Sequence, residues 1–373
     1  MNENTSIPAG GNHLRQLDSA RGIAALMVFG MHFFEKKYFG TPTNTYLTIL
    51  CNGRDAVSFF FVLSGFVLSY KYIILKKPLD LNKFFVSRFF RLWPAFFVTV
   101  VIYCLYIFGA RHALTPAKLV DIFILNKEHF WEEAMLLRFH NDYYGAGWTL
   151  TIEMVGSLLL PFFILIATKN KKLITYLIFV FIIGSGSNFY YSAHFLLGLL
   201  VCCNYPNINR EYFRRQKWFR FRYFILLGAL LLFPLREIEI LSPLGSTLTY
   251  LMEYIGIDNF LLSGVASAVF LVVILYSKPV KKILETRVLV FIGKISFGIY
   301  LSHLLALYIT YNDLPKIIPS NNVHVIVATM ISTYFVLTFV FAMLIHYLVE
   351  LPAIRFGKKI TNRMKTSTVI VNG

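Results

Sequence analysis

The sequence predicts an all-α fold, a polytopic bundle of about ten transmembrane helices with both termini on the cytoplasmic side. Of its 373 residues, 57% are hydrophobic and only 15% are charged, whereas soluble domains have about 25% charged residues. Apolar runs such as 56–75 and 322–348 are long enough to cross a hydrocarbon core of about 30 Å. Basic residues are also concentrated in alternate connections between these runs, as expected of a multi-pass membrane protein.

Runs of apolar residues between polar connections place the predicted spans in chain order. Their bounds are 17–36, 56–75, 92–110, 146–168, 173–185, 188–203, 222–236, 257–277, 288–310 and 322–349. The fifth to seventh are short for full crossings. No internal repeat or low-complexity segment interrupts the series. We therefore expect one membrane domain at 17–355, preceded by a cytoplasmic segment at 1–16 and followed by a basic cytoplasmic tail at 356–373. The N-terminus shows no pattern typical of a signal peptide.

The distribution of basic residues predicts the orientation. One set of alternate segments, which includes both termini, holds 26 of the 36 Lys and Arg residues. The opposite connections hold 9, and Lys294 lies within a span. Since Lys and Arg accumulate on the cytoplasmic side, both termini are predicted to be cytoplasmic. Membrane topology thus explains the net charge of +17, and we expect the lipid bilayer, not a nucleic acid, as a partner.

Ionisable residues inside spans are costly and usually functional, so they supply the candidate site residues. In the first span Arg21 and His32 are eleven residues apart, which places them on one helix face about 16 Å apart along the axis. The third span is preceded by Arg88 and Arg91, whose spacing puts them on one face. Within other spans the candidates are Ser64 beside Gly65, Glu153, Tyr300 and His303.

Depth along the helices sorts these candidates into two layers. His32, Ser64, Glu153 and His303 fall roughly 8–12 Å below the outer boundary, at 1.5 Å per residue. The three arginines lie at the cytoplasmic boundary. Arginine suits phosphate because its planar fork binds bidentately, and imidazole suits proton transfer because it titrates near neutral pH. The pattern predicts an anionic cytoplasmic ligand held below a site of proton transfer.

Each candidate also has a purely structural interpretation. Boundary arginines commonly anchor topology, membrane histidines commonly pack, and a Ser-Gly pair is commonly a contact notch between helices. We expect His194, Lys294 and His346 to be packing or interface residues. The four cysteines show no spacing typical of a disulfide framework or a metal site, and we expect no metal.

Several stretches together resemble the acyltransferase-3 family of bacterial integral-membrane O-acyltransferases. The matching stretches are Arg21 with His32, FFFVLSGF at 59–66, RxxRLxP at 88–94, WTLxxE at 148–153, SFGIYLSH at 296–303 and ELP at 350–352. Each stretch alone is weak evidence for the family, but together they occur in the family's order and spacing. The resemblance covers nearly the whole chain. Some relatives carry a C-terminal soluble hydrolase-like domain. This chain shows none, so we expect the membrane domain to complete the transfer alone.

The resemblance implies an acetyl or other acyl group taken from cytoplasmic acyl-CoA and a carbohydrate hydroxyl as acceptor, on a surface polysaccharide or its lipid-linked precursor. It implies a bacterial cytoplasmic (inner) membrane protein that holds acetyl-CoA as substrate and no bound cofactor. In this hypothesis His32 is the general base, and Arg21, Arg88 and Arg91 hold the donor. Glu153 either orients His32 or binds sugar hydroxyls.

Several alternatives stay open at this point. Ser64 or Tyr300 could form an acyl-enzyme, although the lack of a Gly-x-Ser-x-Gly elbow favours direct transfer. Together with His303 they are possible acceptor-site or supporting residues. A transporter or flippase for a sugar or lipid-linked glycan also fits a bundle with polar groups at mid-depth, although the chain lacks the repeated halves typical of transporters. A non-catalytic partner in polysaccharide assembly is a third class.

Overall fold

The computed structural model describes residues 14–34, 51–111, 115–124, 129–138, 144–183, 190–205, 220–232, 247, 261–318 and 322–364. These residues are almost entirely helical, and no β-strand occurs among them. The described helices are α1 (Arg15–Phe34), α2 (Gly53–Ile73), α3 (Leu81–Arg111), α4 (Pro116–Leu119), α5 (Phe130–Ala134), α6 (Gly147–Lys169), α7 (Lys171–Ile183), α8 (Tyr190–Asn204), α9 (Arg222–Leu232), α10 (Leu261–Tyr276), α11 (Lys278–Leu284), α12 (Arg287–Asn312), α13 (Val323–Ile345) and α14 (Leu351–Arg363). Two π-helical turns, Val120–Ile124 and His346–Glu350, and a 3₁₀ turn at Leu314–Lys316 complete the described elements.

Each predicted span overlaps one of these helices, which confirms the helical fold class. Within the described residues, five helices are long and apolar enough to cross a membrane. A sixth arises if α10 and α11, which meet at 91°, form one broken span. The protein is therefore a multi-pass membrane protein, while ten spans and cytoplasmic termini stay predictions. Residues 35–36, 184–185, 188–189, 233–236 and 257–260 of the predicted spans lie outside the described part of the chain.

Helix α3 begins well before the predicted span at 92–110. Its first turn follows Asp80, whose Oδ1 accepts a hydrogen bond from the backbone N–H of Lys83 at 3.1 Å. A carboxylate that accepts from a free N–H of the first turn is a typical N-cap, so the helix starts at Leu81. Consequently Arg88 and Arg91 lie within the helix, not on a connection beside it. The hydropathy criterion missed residues 81–91 because they include Lys83, Arg88 and Arg91.

Close contacts between helix backbones set the position of α1 against α12 and of α2 against α8. Gly22 of α1 lies against the backbone of Gly293 of α12, and a Cβ on Gly293 would collide with the Asp18 carbonyl. On α2, a Cβ on Gly65 would collide with the Phe195 carbonyl of α8. Small residues of this kind let membrane helices approach closely. Gly65 therefore serves packing, as the structural interpretation of the Ser-Gly pair proposes, and leaves its neighbour Ser64 for another role.

The C-terminal helices run on without a break. Residues His324–Arg363 form a 40-residue helical segment that includes the π-helical turn His346–Glu350. At 1.5 Å per residue this segment is about 60 Å long, roughly twice the hydrocarbon core. One end must therefore project beyond the membrane core, and α14 has the composition of an interfacial helix, with Arg355, Lys358, Lys359 and Arg363 among its residues.

Candidate active site

A cavity of about 680 Å³ lies among six of the described helices, α1, α2, α3, α6, α12 and α14. Its wall combines apolar and aromatic side chains with an unusual number of charged groups. The charged residues that line it are Asp18, Arg21, Arg88, Arg91, Glu153 and Lys358, and the hydroxyl-bearing residues are Ser64, Tyr70, Ser87, Thr149, Ser296 and Tyr300. All three arginines expected to hold the donor therefore meet at one cavity, together with Ser64, Glu153 and Tyr300.

Arg88 and Glu153 form an ion pair across the cavity wall. The Arg88 guanidinium contacts a Glu153 carboxylate oxygen, and its Nε donates to Ser157 Oγ at 3.0 Å. Both charged side chains are largely buried, with 14% and 12% exposure. The expectation of two separate layers is therefore wrong for this pair, since a residue assigned to the outer layer directly contacts one assigned to the cytoplasmic layer. The start of α3 at Leu81 places Arg88 deeper than the sequence indicated.

Arg91 is held by a carboxylate that the sequence analysis did not assign to the site. Its Nη1 lies 2.6 Å from Glu350 Oε1, and the other carboxylate oxygen lies 2.6 Å from His346 Nδ1. Glu350 is fully buried, whereas the Arg91 side chain keeps 35% exposure and lines the cavity. His346, expected to be a packing or interface residue, contacts the carboxylate of this ion pair. His346 and Glu350 are the first and last residues of a π-helical turn, a type of distortion that often marks functional sites.

Two cations of the cavity have weaker or no carboxylate contacts among the described residues. Arg21 Nη1 lies 3.7 Å from Asp18 Oδ1, and both side chains keep 23% exposure. Lys358 is exposed and forms no ion pair within the described part of the chain. The contact of Gly357 with the Phe90 ring, where no Cβ would fit, sets α14 against α3 and places Lys358 at the cavity. Sequence reasoning treated Lys358 as part of a basic tail and missed this position.

Tyr300 forms part of the cavity wall, as does Ser64. Its hydroxyl lies 2.5 Å from Thr149 Oγ1 and 3.2 Å from the Ala146 carbonyl oxygen, so it joins α12 to the start of α6. The Tyr300 ring packs edge-on against Phe60 of α2, with ring centroids 6.0 Å apart. Three helices of the site are therefore tied together at this residue.

His32 and His303 lie next to each other but are not part of the cavity lining. Their rings stack with centroids 5.1 Å apart and planes inclined by 28°. Tyr300 connects this pair to the cavity, since its ring centroid is 5.6 Å from that of His303. We expected Glu153 as a possible orienting group for His32. The structure pairs Glu153 with Arg88 and places His303 beside His32.

Together these features define a class of protein: a multi-pass helical membrane protein with a basic cavity among its helices. The chain matches the family described as "Acyltransferase domain" over residues 14–349, and it belongs to this family, acyltransferase-3. The expected family is thereby confirmed. Family membership points to acyl transfer at a membrane as the reaction class.

Three curated proteins resemble parts of the chain. Nodulation protein 10 of Rhizobium leguminosarum bv. viciae is 27% identical over 187 residues, which are 46% of this chain and 50% of that protein. Acyltransferase MdmB of Streptomyces mycarofaciens is 28% identical over 155 residues, 40% of this chain and 38% of MdmB. Protein 2 in the picA locus of Rhizobium radiobacter is 34% identical over 101 residues, 25% of this chain and 48% of that protein. The chain thus spans half or less of each relative it matches. No solved structure matches it.

Proposed function

We propose that this protein transfers an acetyl group from cytoplasmic acetyl-CoA to a sugar hydroxyl of a surface polysaccharide or its lipid-linked precursor, at the bacterial inner membrane. The observation that carries the proposal is the cavity lined by four basic side chains in a chain of the acyltransferase-3 family. A donor with several phosphates matches this charge, and Arg forks bind phosphate bidentately. The curated relative MdmB, itself named an acyltransferase, supports the reaction class.

In this proposal the donor's phosphates bind where Arg21 and Lys358 face the cavity, since these cations are not tightly paired among the described residues. Arg88 and Arg91 are already held by Glu153 and Glu350, so they act as fixed, oriented donors of hydrogen bonds. The pantetheine arm then extends along the apolar wall towards Ser64 and Tyr300. With the phosphates at Arg21 and the thioester at the level of His32, the two ends of the donor lie about 16 Å apart, which is the axial separation of Arg21 and His32.

The chemical step is proton removal coupled to acyl transfer. The neutral imidazole of His32 takes the proton of the sugar hydroxyl, and the oxygen attacks the thioester carbonyl carbon. The new C–O bond forms, the C–S bond breaks, and the departing thiolate takes the proton from the His32 imidazolium, so that CoA-SH and the sugar ester are released and neutral His32 is restored. A general base contributes about 10²–10⁴-fold to such a step. Tyr300 lines the cavity and its ring contacts that of His303, so in this proposal the Tyr300 side chain shifts when the thioester and the sugar hydroxyl meet at His32.

A covalent route has support of its own, because Ser64 and Tyr300 line the cavity and His32 does not. In that route one of these hydroxyls first takes the acetyl group from the thioester and later passes it to the sugar. Incubation with acetyl-CoA in the absence of acceptor distinguishes the two routes. Direct transfer leaves the intact mass of the protein unchanged, whereas the covalent route adds the mass of one acetyl group to a peptide that contains Ser64 or Tyr300.

Purified protein in detergent tests the proposed function. With acetyl-CoA and the polysaccharide or lipid-linked acceptor, we expect CoA thiol release and incorporation of labelled acetyl into the carbohydrate. A His32→Gln variant keeps a hydrogen-bonding side chain but cannot carry a proton, so transfer should fall by about 10²-fold or more. A His324→Gln variant is the matched control, since His324 lies at the start of α13, away from the cavity lining. A transporter or an assembly partner would transfer no acetyl group, and that result would refute the proposal.

A further inference from the structure

His303 is a buried histidine whose tautomer is fixed by its own helix. Its side chain has no solvent exposure, and its Nδ1 lies 2.6 Å from the carbonyl oxygen of Tyr300. A carbonyl oxygen can only accept, so Nδ1 must carry the hydrogen and donate it. In the neutral ring the other nitrogen, Nε2, then holds a lone pair.

The Nε2 atom of His303 is an acceptor whose function the fold does not explain. It is buried, and it has no hydrogen-bond partner among the described residues. Most buried polar atoms in proteins are paired, and an exception calls for a specific explanation, such as a catalytic role or a bound water. The ring of His32 stacks on this histidine, 5.1 Å away between centroids. The Tyr300 ring lies 5.6 Å from the His303 ring between centroids.

We propose that His303 is the positioning residue for His32: its Nε2 accepts a hydrogen bond from one bound water, which in turn accepts the ring N–H of His32. The proposal rests on the proposed function, in which His32 is the general base. An imidazole that takes a proton from a substrate carries N–H on both nitrogens. One N–H then returns its proton to the reaction, and the other needs an acceptor that holds the ring in place.

A neutral acceptor suits this place in the membrane. A carboxylate in the same position would need its own counter-charge, because ionised groups are costly inside a bilayer. The carboxylate expected for this role, Glu153, is already paired with Arg88 at the cavity wall. His303 instead offers a lone pair without charge, and the hydrogen bond to the Tyr300 carbonyl keeps that lone pair directed away from its own helix backbone. Two residues of the motif SFGIYLSH thus have different roles: Tyr300 lines the cavity, and His303 contacts the Tyr300 ring without lining the cavity.

Two substitutions at His303 separate positioning from packing. His303→Asn retains an amide near Nδ1 that can still donate to the Tyr300 carbonyl, but it removes the acceptor at Nε2. His303→Gln extends an amide oxygen towards the former Nε2 position. We expect kcat to fall about 10–100-fold in the Asn variant, the range typical for groups that orient a functional imidazole. The Gln variant should retain more activity. KM for acetyl-CoA should stay unchanged in both variants, because His303 does not line the cavity.

A double-mutant comparison supplies the decisive measurement. If His303 acts through His32, adding His303→Asn to a His32→Gln protein should cause no further loss of residual activity. An equal fold-loss in both backgrounds, or a wild-type kcat in His303→Asn, would overturn the proposal. His194→Asn is the matched control, since His194 is a buried histidine on α8 with 2% exposure and should retain the wild-type kcat. Failure of the wild-type protein to transfer acetyl would instead contradict the proposed function.

A second test reads the tautomer of His303 directly and does not depend on an activity measurement. Nitrogen-15 NMR of histidine-labelled protein distinguishes the two neutral tautomers of each ring. We expect the Nδ1–H tautomer for His303, assigned by the signal lost in the His303→Gln protein, and a shift of its Nε2 resonance when His32 is replaced by Gln. Finding the Nε2–H tautomer in the wild-type protein would overturn the proposal, because that atom could then accept no hydrogen bond from the bound water.

Discussion

Replacing the three cavity arginines one at a time by Gln should affect stability in the order Arg91, Arg88, Arg21. The order follows from what each substitution leaves behind. Without Arg91, the fully buried Glu350 keeps His346 as its one ionisable partner among the described residues. Without Arg88, Glu153 is left at 12% exposure. Without Arg21, Asp18 is left at 23% exposure, with a contact that was already long at 3.7 Å.

The magnitudes follow from these exposures. Removing one partner of a buried ion pair costs about 3–5 kcal/mol, because the remaining charge is stranded away from water. Arg91 keeps 35% exposure, so water can reach part of its site and the loss for Arg91→Gln should lie near the lower end of that range. An exposed pair is worth about 0–1 kcal/mol, which is what we expect for Arg21→Gln. The Arg91→Gln/Glu350→Gln double variant should recover much of the loss, because no unpaired charge is then buried.

Thermal unfolding in detergent, followed by tryptophan fluorescence, measures this order as differences in Tm. Acetyl-CoA binding measured on the same preparations separates folding from donor recognition. Arg21→Gln should weaken binding while Tm stays close to wild type, whereas Arg91→Gln should lower both. If Arg91→Gln were as stable as Arg21→Gln, or if the double variant were no better than the single one, the Arg91–Glu350 ion pair would not contribute as argued.

Three further predictions concern other parts of the molecule. Lys358→Gln should raise KM for acetyl-CoA about 10-fold, the size of one charge-assisted contact, with kcat unchanged in steady-state assays. Gly198→Ala should lower Tm because its Cβ would collide with the Val62 carbonyl, whereas Gly228→Ala, whose Cβ would meet no atom of the described residues within 4 Å, should be neutral. A reporter inserted near Lys217 should be cytoplasmic and one near Lys127 external, although both sites lie outside the described residues; the same side for both would contradict the topology.

The helices were predictable because hydropathy acts locally. An apolar run of about 20 residues has to be helical in a membrane, since every backbone group needs an internal partner there. Charged residues at an end weaken that signal, which explains the error at α3, where the helix starts at Leu81 and the predicted span at 92. Helix α1 shows the same effect. With Asp18, Arg21 and His32 in its sequence, it is not among the five helices that are apolar enough to cross a membrane by composition.

The partners of the charged residues were not predictable in the same way. Glu153 and Arg88 are 65 residues apart in sequence, and their contact depends on how α3 and α6 pack. The spacing within HYLVE did contain a signal, since His346 and Glu350 are four residues apart, a distance at which helical side chains meet. That signal could indicate the contact between His346 and Glu350, but it could not indicate that Glu350 also pairs with Arg91. Lys358 carried no local signal, because its place at the cavity depends on the contact between Gly357 and Phe90.

The paired arginines have a consequence for how a polyanionic donor would bind. A phosphate that approaches Arg88 or Arg91 meets a guanidinium already satisfied in part by a carboxylate, so binding exchanges or shares one anion instead of adding a new contact. The gain per contact should then be smaller than at Arg21 or Lys358, whose charges are less compensated among the described residues. Affinity should accordingly depend more on Arg21 and Lys358. Placement of the thioester should depend more on Arg88 and Arg91, because their carboxylate partners hold the two guanidinium groups in fixed directions before the donor arrives.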